Sequence, residues 1–573
     1  MTIKGLSIRV RENIAIISIG IFVTGIYLIT SCPTVRYWDS GELSAAAYTL
    51  GIAHAPGFPL YVICGRTGMI FSLFGAAYTM SLLSALWGGL AVGFFILMLR
   101  DWVKRLSWGI VIAGLALAWS GGLWSQANRA EVYALSLLLT AVSFYLAVKY
   151  VNSGSMRYLI LAGYVWGLAG ANHTSSAAAA LPALIALVLQ NRSMRDFKLS
   201  HSFCFLTGAI IGWSIYLLIP IRSALCPEIN WGRGDNWQSF IHLITVKDFA
   251  FSLKFKGWLD FAQRLYIHWK LLYENIPLPL MIFTIIGFWR LRYQWWILLL
   301  FLCGSGVTLM REALPQADHL GYLLPVIIAL YIWTGEGFDY VGDKLHTIKF
   351  LSGKKIKHVI LSLAIVLIMT PIFIKQYEKN NLRGNYSGEN FGRAIIGSLD
   401  EDSIVLFNDI SSYFICRYLQ TVEHFRRDCD LILPGMLIEG GASRNWYYQE
   451  IIERTKISGL NPLPFSALQV IARIVERNHN ARPIYCEYGE HYRPFYKYLK
   501  PEGWLFRYDL ENKLNSADNY ILPNKDIIGE DQETREFYGS RLYALGLYYQ
   551  DRGELRQAEQ YIQAAEELVK RRH

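Results

Sequence analysis

Charge is what this sequence has least of. Only 17% of its 573 residues are Asp, Glu, Lys or Arg, against 53% hydrophobic, where an ordinary soluble chain carries about 25% charged residues. That shortage excludes a soluble globular protein of this size and points to several membrane-spanning helices. Metal-type cysteine spacing is missing as well: the eight cysteines include no Cys-x-x-Cys pair, which excludes a zinc-ribbon site. Cys64, Cys204 and Cys303 lie in apolar surroundings, where the thiol behaves as a small hydrophobe. Cys416, Cys429 and Cys486 fall in a later polar region, where a disulfide between any two of them stays open. No cleavable signal is evident, because the first apolar run is too long and Cys32-Pro33-Thr34-Val35 is not a small-x-small cleavage site. We read that run as a retained helix. A net charge of +10 would suggest nucleic acid in a soluble chain, but here the basic residues fall in short loops between apolar runs. They are a topology signal, and no nucleic-acid partner is expected.

Apolar runs at 12–31, 78–99, 107–125, 131–150, 157–172, 175–190, 203–221, 276–290, 294–310, 319–336 and 357–375 predict a mainly α, polytopic membrane protein of about 11 spans. With the N-terminus inside, Arg100, Lys104, Arg105, Lys149, Arg157, Arg192, Arg195, Lys198, Arg290 and Arg292 all fall in inner loops. The outer loops, 32–77 first among them, are poorer in basic residues for their length. Residues 57–75 are apolar, but Arg66, Pro59 and several glycines interrupt them. Counting them as a span would move every later basic cluster outside, so they are expected to form an interfacial or re-entrant helix.

This topology puts everything after about residue 376 on the outer side. Residues 376–530 alternate β-rich runs at 403–407, 431–433 and 483–486 with amphipathic stretches at 413–423 and 467–477, which predicts a soluble α/β domain. Residues 531–573 read as two amphipathic helices joined near Gly553, with tetratricopeptide-like spacing. One such unit cannot bury its own faces, so it is expected to pack on the α/β domain or to recruit a protein partner.

Chemistry concentrates in the first outer loop, at Arg36-Tyr37-Trp38-Asp39-Ser40-Gly41-Glu42 and on through His54-Ala55-Pro56-Gly57-Phe58-Pro59. Charge where a membrane helix meets water is costly unless it has a use. Asp39 and Glu42 share a helix face and could share a proton, a cation or a hydroxyl substrate. The same Asp-x-x-Glu spacing is also a capping box, and spacing does not choose between the two. On the same side, Glu131 and Tyr133 open a helix, where Glu131 also suits the helix dipole. His173 links two short helices, and Arg222 and Arg311 could each pair with a lipid phosphate or anchor in the headgroups.

The motifs Tyr37-Trp38-Asp39-Ser40-Gly41-Glu42, 47–61, Ala130-Glu131-Val132-Tyr133 and Pro220-Ile221-Arg222…Ile229-Asn230-Trp231-Gly232 resemble a transmembrane family whose animal members are protein O-mannosyltransferases. The resemblance is strong over about 10–250 and thins beyond. That family is similar to the GT-C glycosyltransferases, which use a polyprenyl-phosphate sugar and place an acidic residue in the first outer loop. The resemblance implies a GT-C-like transmembrane domain over 1–375. It implies Asp39 as general base with Glu42 beside it, and His54 and Pro56 near a His-Pro-Pro element whose middle position here is Ala55. Asn408-Asp409-Ile410-Ser411 departs from the family pattern.

The expected function is therefore transfer of a sugar, with mannose the implied candidate, from a polyprenyl-phosphate donor to a hydroxyl on a protein or glycan. Asp39 and Glu42 would be catalytic, and His54, Arg66, Glu131, Tyr133, His173, Arg222 and Arg311 would bind substrate. No metal is assigned, since two carboxylates are a thin ligand set for a divalent cation. The expected setting is a bacterial inner membrane, with the N-terminus cytoplasmic and the active site periplasmic. A transporter or flippase of lipid-linked sugars would need polar residues in mid-helix and internal repeats, and a membrane-anchored scaffold would need only one anchor.

Overall fold

The computed structural model describes residues 7–191, 198–231, 234–247, 256–310, 318–345, 354–436, 455, 466–509 and 531–570. Helix α1 (Ile8–Ile29) is capped by Ser7, whose hydroxyl accepts the Val10 N–H. It is followed by α2 (Ser40–Thr49), α3 (Pro59–Phe71), α4 (Ala76–Val103), α5 (Trp108–Ala118), α6 (Gly121–Ala127), α7 (Tyr133–Ser153), α8 (Met156–Asn172) and α9 (Thr174–Asn191). The apolar stretch within the first outer loop is the short helix α3, opened by Pro59 at its first position. Its end exposes Ile70, Phe71, Leu73 and Phe74.

Among the described residues, five helices are long and apolar enough to cross a membrane: α1, α4, α7, Leu199–Ser223 and Ile356–Asn380. Two bent pairs raise the number to seven if each is one span. This is fewer than the eleven runs read from hydropathy, and the reason is length and bending. The run at 157–172 folds as the 17-residue α8 and that at 294–310 as the 16-residue helix Trp295–Met310, against about 20 residues for a full crossing. Helices α5 and α6 meet at 55°, where Trp119 is the C-cap of the first and Ser120 caps the second by accepting the Leu123 N–H.

Polar contacts show which helix ends lie together. Arg9, Glu12, Arg100, Asp101 and Lys149 form one ion-pair network joining the start of α1 to the ends of α4 and α7. At the opposite end of α1, the Thr30 carbonyl accepts the Leu382 N–H and the Cys32 N–H donates to the Asn128 carbonyl. The first loop, the segment after α6 and the chain beyond Asn380 therefore share one end of the bundle.

On that end sits a five-stranded sheet of order β2-β1-β3-β5-β4, with β1 Ile404–Leu406, β2 Asp430–Ile432, β3 Ile484–Cys486, β4 Leu499–Glu502 and β5 Leu505–Tyr508. Strand β1 is parallel to β2 and β3, with Val405 opposite Leu431 on one side and Tyr485 on the other. Strand β5 closes the sheet antiparallel to β3 and β4. Three-residue strands buried at every position are what a sheet covered on both faces requires. Helix Ile410–Val422 lies across α2, closest at Gly41, where a Cβ would come 2.5 Å from the Phe414 carbonyl oxygen. The last two helices, Gln532–Asp551 and Leu555–Lys570, turn at Gly553 (φ 80°). The Tyr548 hydroxyl of the first donates to the Leu499 carbonyl at 2.5 Å, which docks the hairpin on the sheet.

All eight cysteines are free, so the disulfide left open among Cys416, Cys429 and Cys486 does not form. Each of the three is packed in the apolar core of the sheet, where a thiol fills space as a small hydrophobe.

Candidate functional site

Helix α2 is alanine-rich, a composition that favours a helix, and it ends at Leu50 in the left-handed region (φ 48°). Asp39 holds its N-cap position yet makes no capping hydrogen bond through its side chain. Glu42 does not reach back to complete a capping box either, because its carboxylate is turned onto His54. Glu42 Oε1 accepts the His54 backbone N–H at 2.7 Å, and Oε2 lies 2.5 Å from His54 Nδ1. An ionised carboxylate only accepts, so Nδ1–H donates and the other ring nitrogen is left to face Asp39. That nitrogen, Nε2, is 3.6 Å from Asp39 Oδ2. One imidazole thus bridges a buried carboxylate and a more open one.

The loop around this triad is bent hard. Trp38, Leu50 and Phe58 all have positive φ, at 61°, 48° and 44°, a cost that persists only where surrounding contacts impose it. One such contact is a two-residue parallel bridge: the Ile52 N–H donates to the Ile229 carbonyl at 2.8 Å and the Trp231 N–H to the Ile52 carbonyl at 3.0 Å. Gly51 permits it, since a Cβ there would sit 2.2 Å from the Ile229 oxygen. The bridge brings Trp231 beside His54, with ring centres 6.1 Å apart.

From His54 a run of rings leads into the bundle. Phe58 meets His54 edge-on at 5.0 Å and stacks parallel to His173 at 6.3 Å. His173 in turn contacts Tyr133 and Tyr322, each at 5.0 Å. The Ser176 backbone N–H donates to His173 Nδ1 at 3.3 Å, so the neutral ring carries its proton on Nε2. Glu131 is buried near Tyr61, whose hydroxyl is pushed up first by burial and then by the Glu131 charge.

Two of the three arginines that sequence reading assigned to substrate lie at the far end of α2. Arg222 donates from Nε to the Leu50 carbonyl at 2.7 Å and from Nη2 to the Thr49 carbonyl at 3.2 Å. Arg66 donates to the Tyr48 carbonyl at 2.7 Å. Between them they satisfy the last carbonyls of α2, a favourable place for cations. Arg311 lies outside the described residues. The structure thus gathers Asp39, Glu42, His54, His173 and Tyr133 along one aromatic path, with Glu131 two residues from Tyr133, and sets Arg66 and Arg222 apart.

Asp39, Glu42 and His54 each offer a ligand atom, all within 4.8 Å of one another. Two carboxylates and an imidazole suit a divalent cation, at the expense of the Glu42 to His54 hydrogen bond.

Sequence reading missed the ion cluster beneath this loop. Arg36, three residues before Asp39 and fully buried, donates from Nε to Glu533 at 3.0 Å and from Nη2 to Asp531 at 2.5 Å. Arg129 Nη1 donates to both Glu533 oxygens at 2.9 Å. Burial acts to raise the Asp531 carboxyl, but the charge and hydrogen bond of Arg36 hold it well below the usual range. Glu533 is likewise lowered, because Arg129 and Arg36 outweigh its burial. The only signal in the sequence is that Asp531 caps the last helix pair by accepting the Thr534 N–H at 3.0 Å, which places two acids at a helix N-terminus.

Residues 39–196 match the family model described as the protein O-mannosyl-transferase TMEM260 N-terminal domain. The chain is 22% identical over 573 residues to the protein O-mannosyl-transferase tmem260 of Dictyostelium discoideum, covering 89% of this chain and 67% of that protein. It is 26% identical over 249 residues to protein O-mannosyl-transferase TMEM260 of Mus musculus, and spans only 35% of the length of that relative. Two crystal structures of ArnT from Cupriavidus metallidurans have a TM-score of 0.48 to this fold at 12% identity. The apo structure covers 84% of this chain and 94% of its own, and the one bound to undecaprenyl phosphate 87% and 98%. The chain is a multi-pass membrane glycosyltransferase. Over residues 39–196 it is similar to the O-mannosyltransferase-like family of that model.

Proposed function

We propose that the chain transfers a sugar, mannose being the first candidate, from a polyprenyl-phosphate donor to a hydroxyl of a protein acceptor, with Asp39 as general base. The observation that carries this reading is the unequal use of the two carboxylates. Glu42 is 3% exposed and bound to His54 on both oxygens, whereas Asp39 is 21% exposed and, at the N-cap of α2, makes no capping hydrogen bond through its side chain. Asp39 takes the proton of the acceptor hydroxyl. The hydroxyl oxygen forms its bond to the anomeric carbon while the bond from that carbon to the phosphate oxygen breaks, and the electron pair leaves with the lipid phosphate. A phosphate is a good leaving group, so the reaction calls for a base and for charge stabilisation more than for a strong acid. His54 is the positioning residue between the carboxylates, and Phe58, His173 and Tyr133 form the wall along which the donor approaches. A single displacement inverts the anomeric centre.

Mannose as the sugar and a protein as the acceptor are also suggested by the names of the relatives. The site lies at the membrane end opposite the chain start, which is the periplasmic face if the host is a bacterium; the named relatives are eukaryotic. The test is transfer of radiolabelled sugar from a panel of polyprenyl-phosphate sugars by the purified chain and by Asp39→Asn. Turnover in the wild type with loss in a folded Asp39→Asn supports the reading, and equal turnover in both overturns it.

A further inference from the structure

The residues leading into Asp39 are held by the far end of the chain. Arg36, Tyr37 and Trp38 are each fixed by partners distant in sequence. The Arg36 guanidinium is spent on Glu533, Asp531 and Ser387. The Tyr37 ring stacks on Phe537, one helical turn beyond Glu533, with centres 4.3 Å apart and planes 27° apart. The Trp38 N–H donates to Ser411 Oγ at 2.5 Å, and the Arg36 N–H to Ser40 Oγ at 3.2 Å. These contacts impose the left-handed Trp38 that aims the chain into Asp39. Glu533 does more than close one pair. Among the described residues it is the carboxylate partner of Arg129 as well, and Arg129 lies just before Glu131 and Tyr133. A single carboxylate therefore ties the Asp39 segment to the segment that opens α7.

We propose that Glu533 is a positioning residue for the transfer reaction: from the tail helix it fixes Arg36 and Arg129 against each other, and through Arg36 it fixes the Asp39 carboxylate relative to the donor-side wall. The inference rests on the reading of Asp39 as base. A buried guanidinium stripped of its carboxylate is an uncompensated charge, so the cluster works as a unit and not as separable pairs. Loss of register at a catalytic base costs rate more than it costs binding, and a shift on the order of 1 Å can cost up to about 100-fold.

The experiment uses the full chain and Glu533→Gln, with Phe537→Leu as a second route that loosens the Tyr37 stack and leaves every charge in place. Glu566→Gln, whose partner Lys570 is an exposed neighbour on the last helix, is the control. Two quantities are read: amide hydrogen exchange over residues 36–42, and kcat against KM for the donor. The expected result is faster exchange at 36–42 with α8 unchanged, and kcat lowered about 10- to 100-fold with donor KM within about two-fold. Unchanged exchange at 36–42 in folded Glu533→Gln and Phe537→Leu overturns the proposal. So does a lower unfolding temperature with kcat retained, which is the mark of a merely structural tie. If the wild type transfers no sugar at all, the reading of Asp39 has failed, and the exchange experiment still decides whether Glu533 holds the segment.

Discussion

The Asp39 and Glu42 side chains face the same imidazole, but one is 21% and the other 3% exposed. That difference separates their roles and makes them separable by mutation. Asp39→Asn removes a base and no helix cap, so turnover should fall by about 100- to 10,000-fold while unfolding free energy changes by no more than about 0.5 kcal/mol; parallel transfer assays and denaturation measure both. Glu42→Gln should show the opposite balance. It weakens two hydrogen bonds to a buried site, one of them to the His54 ring, and is expected to cost about 1–3 kcal/mol of stability, with a smaller loss of turnover than Asp39→Asn. A larger loss of turnover for Glu42→Gln than for Asp39→Asn would exchange the roles. Spacing announced the pair, because two acids one turn apart share a face. It could not show which would be spoken for, since His54 reaches Glu42 only after the chain has turned back through the bend at Leu50.

At the scale of an element, α2 is a short helix fixed at both ends and along its side. Gly41 lets helix Ile410–Val422 approach its first turn, and Arg66 and Arg222 occupy its last carbonyls. This placement gives Arg222 a structural task beside the two that sequence reading left open, a lipid phosphate or a headgroup anchor. Arg222→Ala should cost about 1–3 kcal/mol, the range for hydrogen bonds from a charged donor, and should leave donor KM unchanged; a KM rise of about 10-fold or more would restore the phosphate role. Arg222→Lys is not expected to rescue stability fully, because an ammonium cannot span two carbonyls as the planar fork does. Hydropathy found the long helices, and alternation found the strand runs that lie on β1, β2 and β3. It missed the β4 and β5 hairpin at 499–508, where Lys500, Pro501, Glu502 and Gly503 break the apolar pattern and only the pairing with β3 holds the strands.

For the whole molecule, the decisive contact is between the first loop and the tail. Asp531 and Glu533 are both lowered in the folded state, against the upward pull of burial, by Arg36 and Arg129. A carboxyl lowered on folding contributes stability that is present above its unfolded value, about 4 for these side chains, and is lost as pH falls from there through the folded value. Thermal unfolding followed against pH should therefore show stability level from about pH 7 to 5 and falling below about pH 4. The Asp531→Asn, Glu533→Gln double variant should be less stable at neutral pH and lose less on acidification. Equal acid slopes in the two proteins would mean that other carboxyls govern the fall.

The sequence by itself determined that this chain is a membrane protein, and it set Asp39, Glu42 and His54 in one short stretch after the first apolar run. Those properties follow from composition, hydropathy and local motif, which each stretch carries wherever it is placed. Only the tertiary structure decided that Glu42 belongs to His54, that Trp231 stands beside that ring, and that the tail clamps the first loop. The Arg36 to Glu533 bond joins residues 497 positions apart. Nothing local selects one carboxylate at that distance: packing of the hairpin on the sheet, and of the sheet on α2, brings Glu533 to a guanidinium whose burial would otherwise be prohibitive.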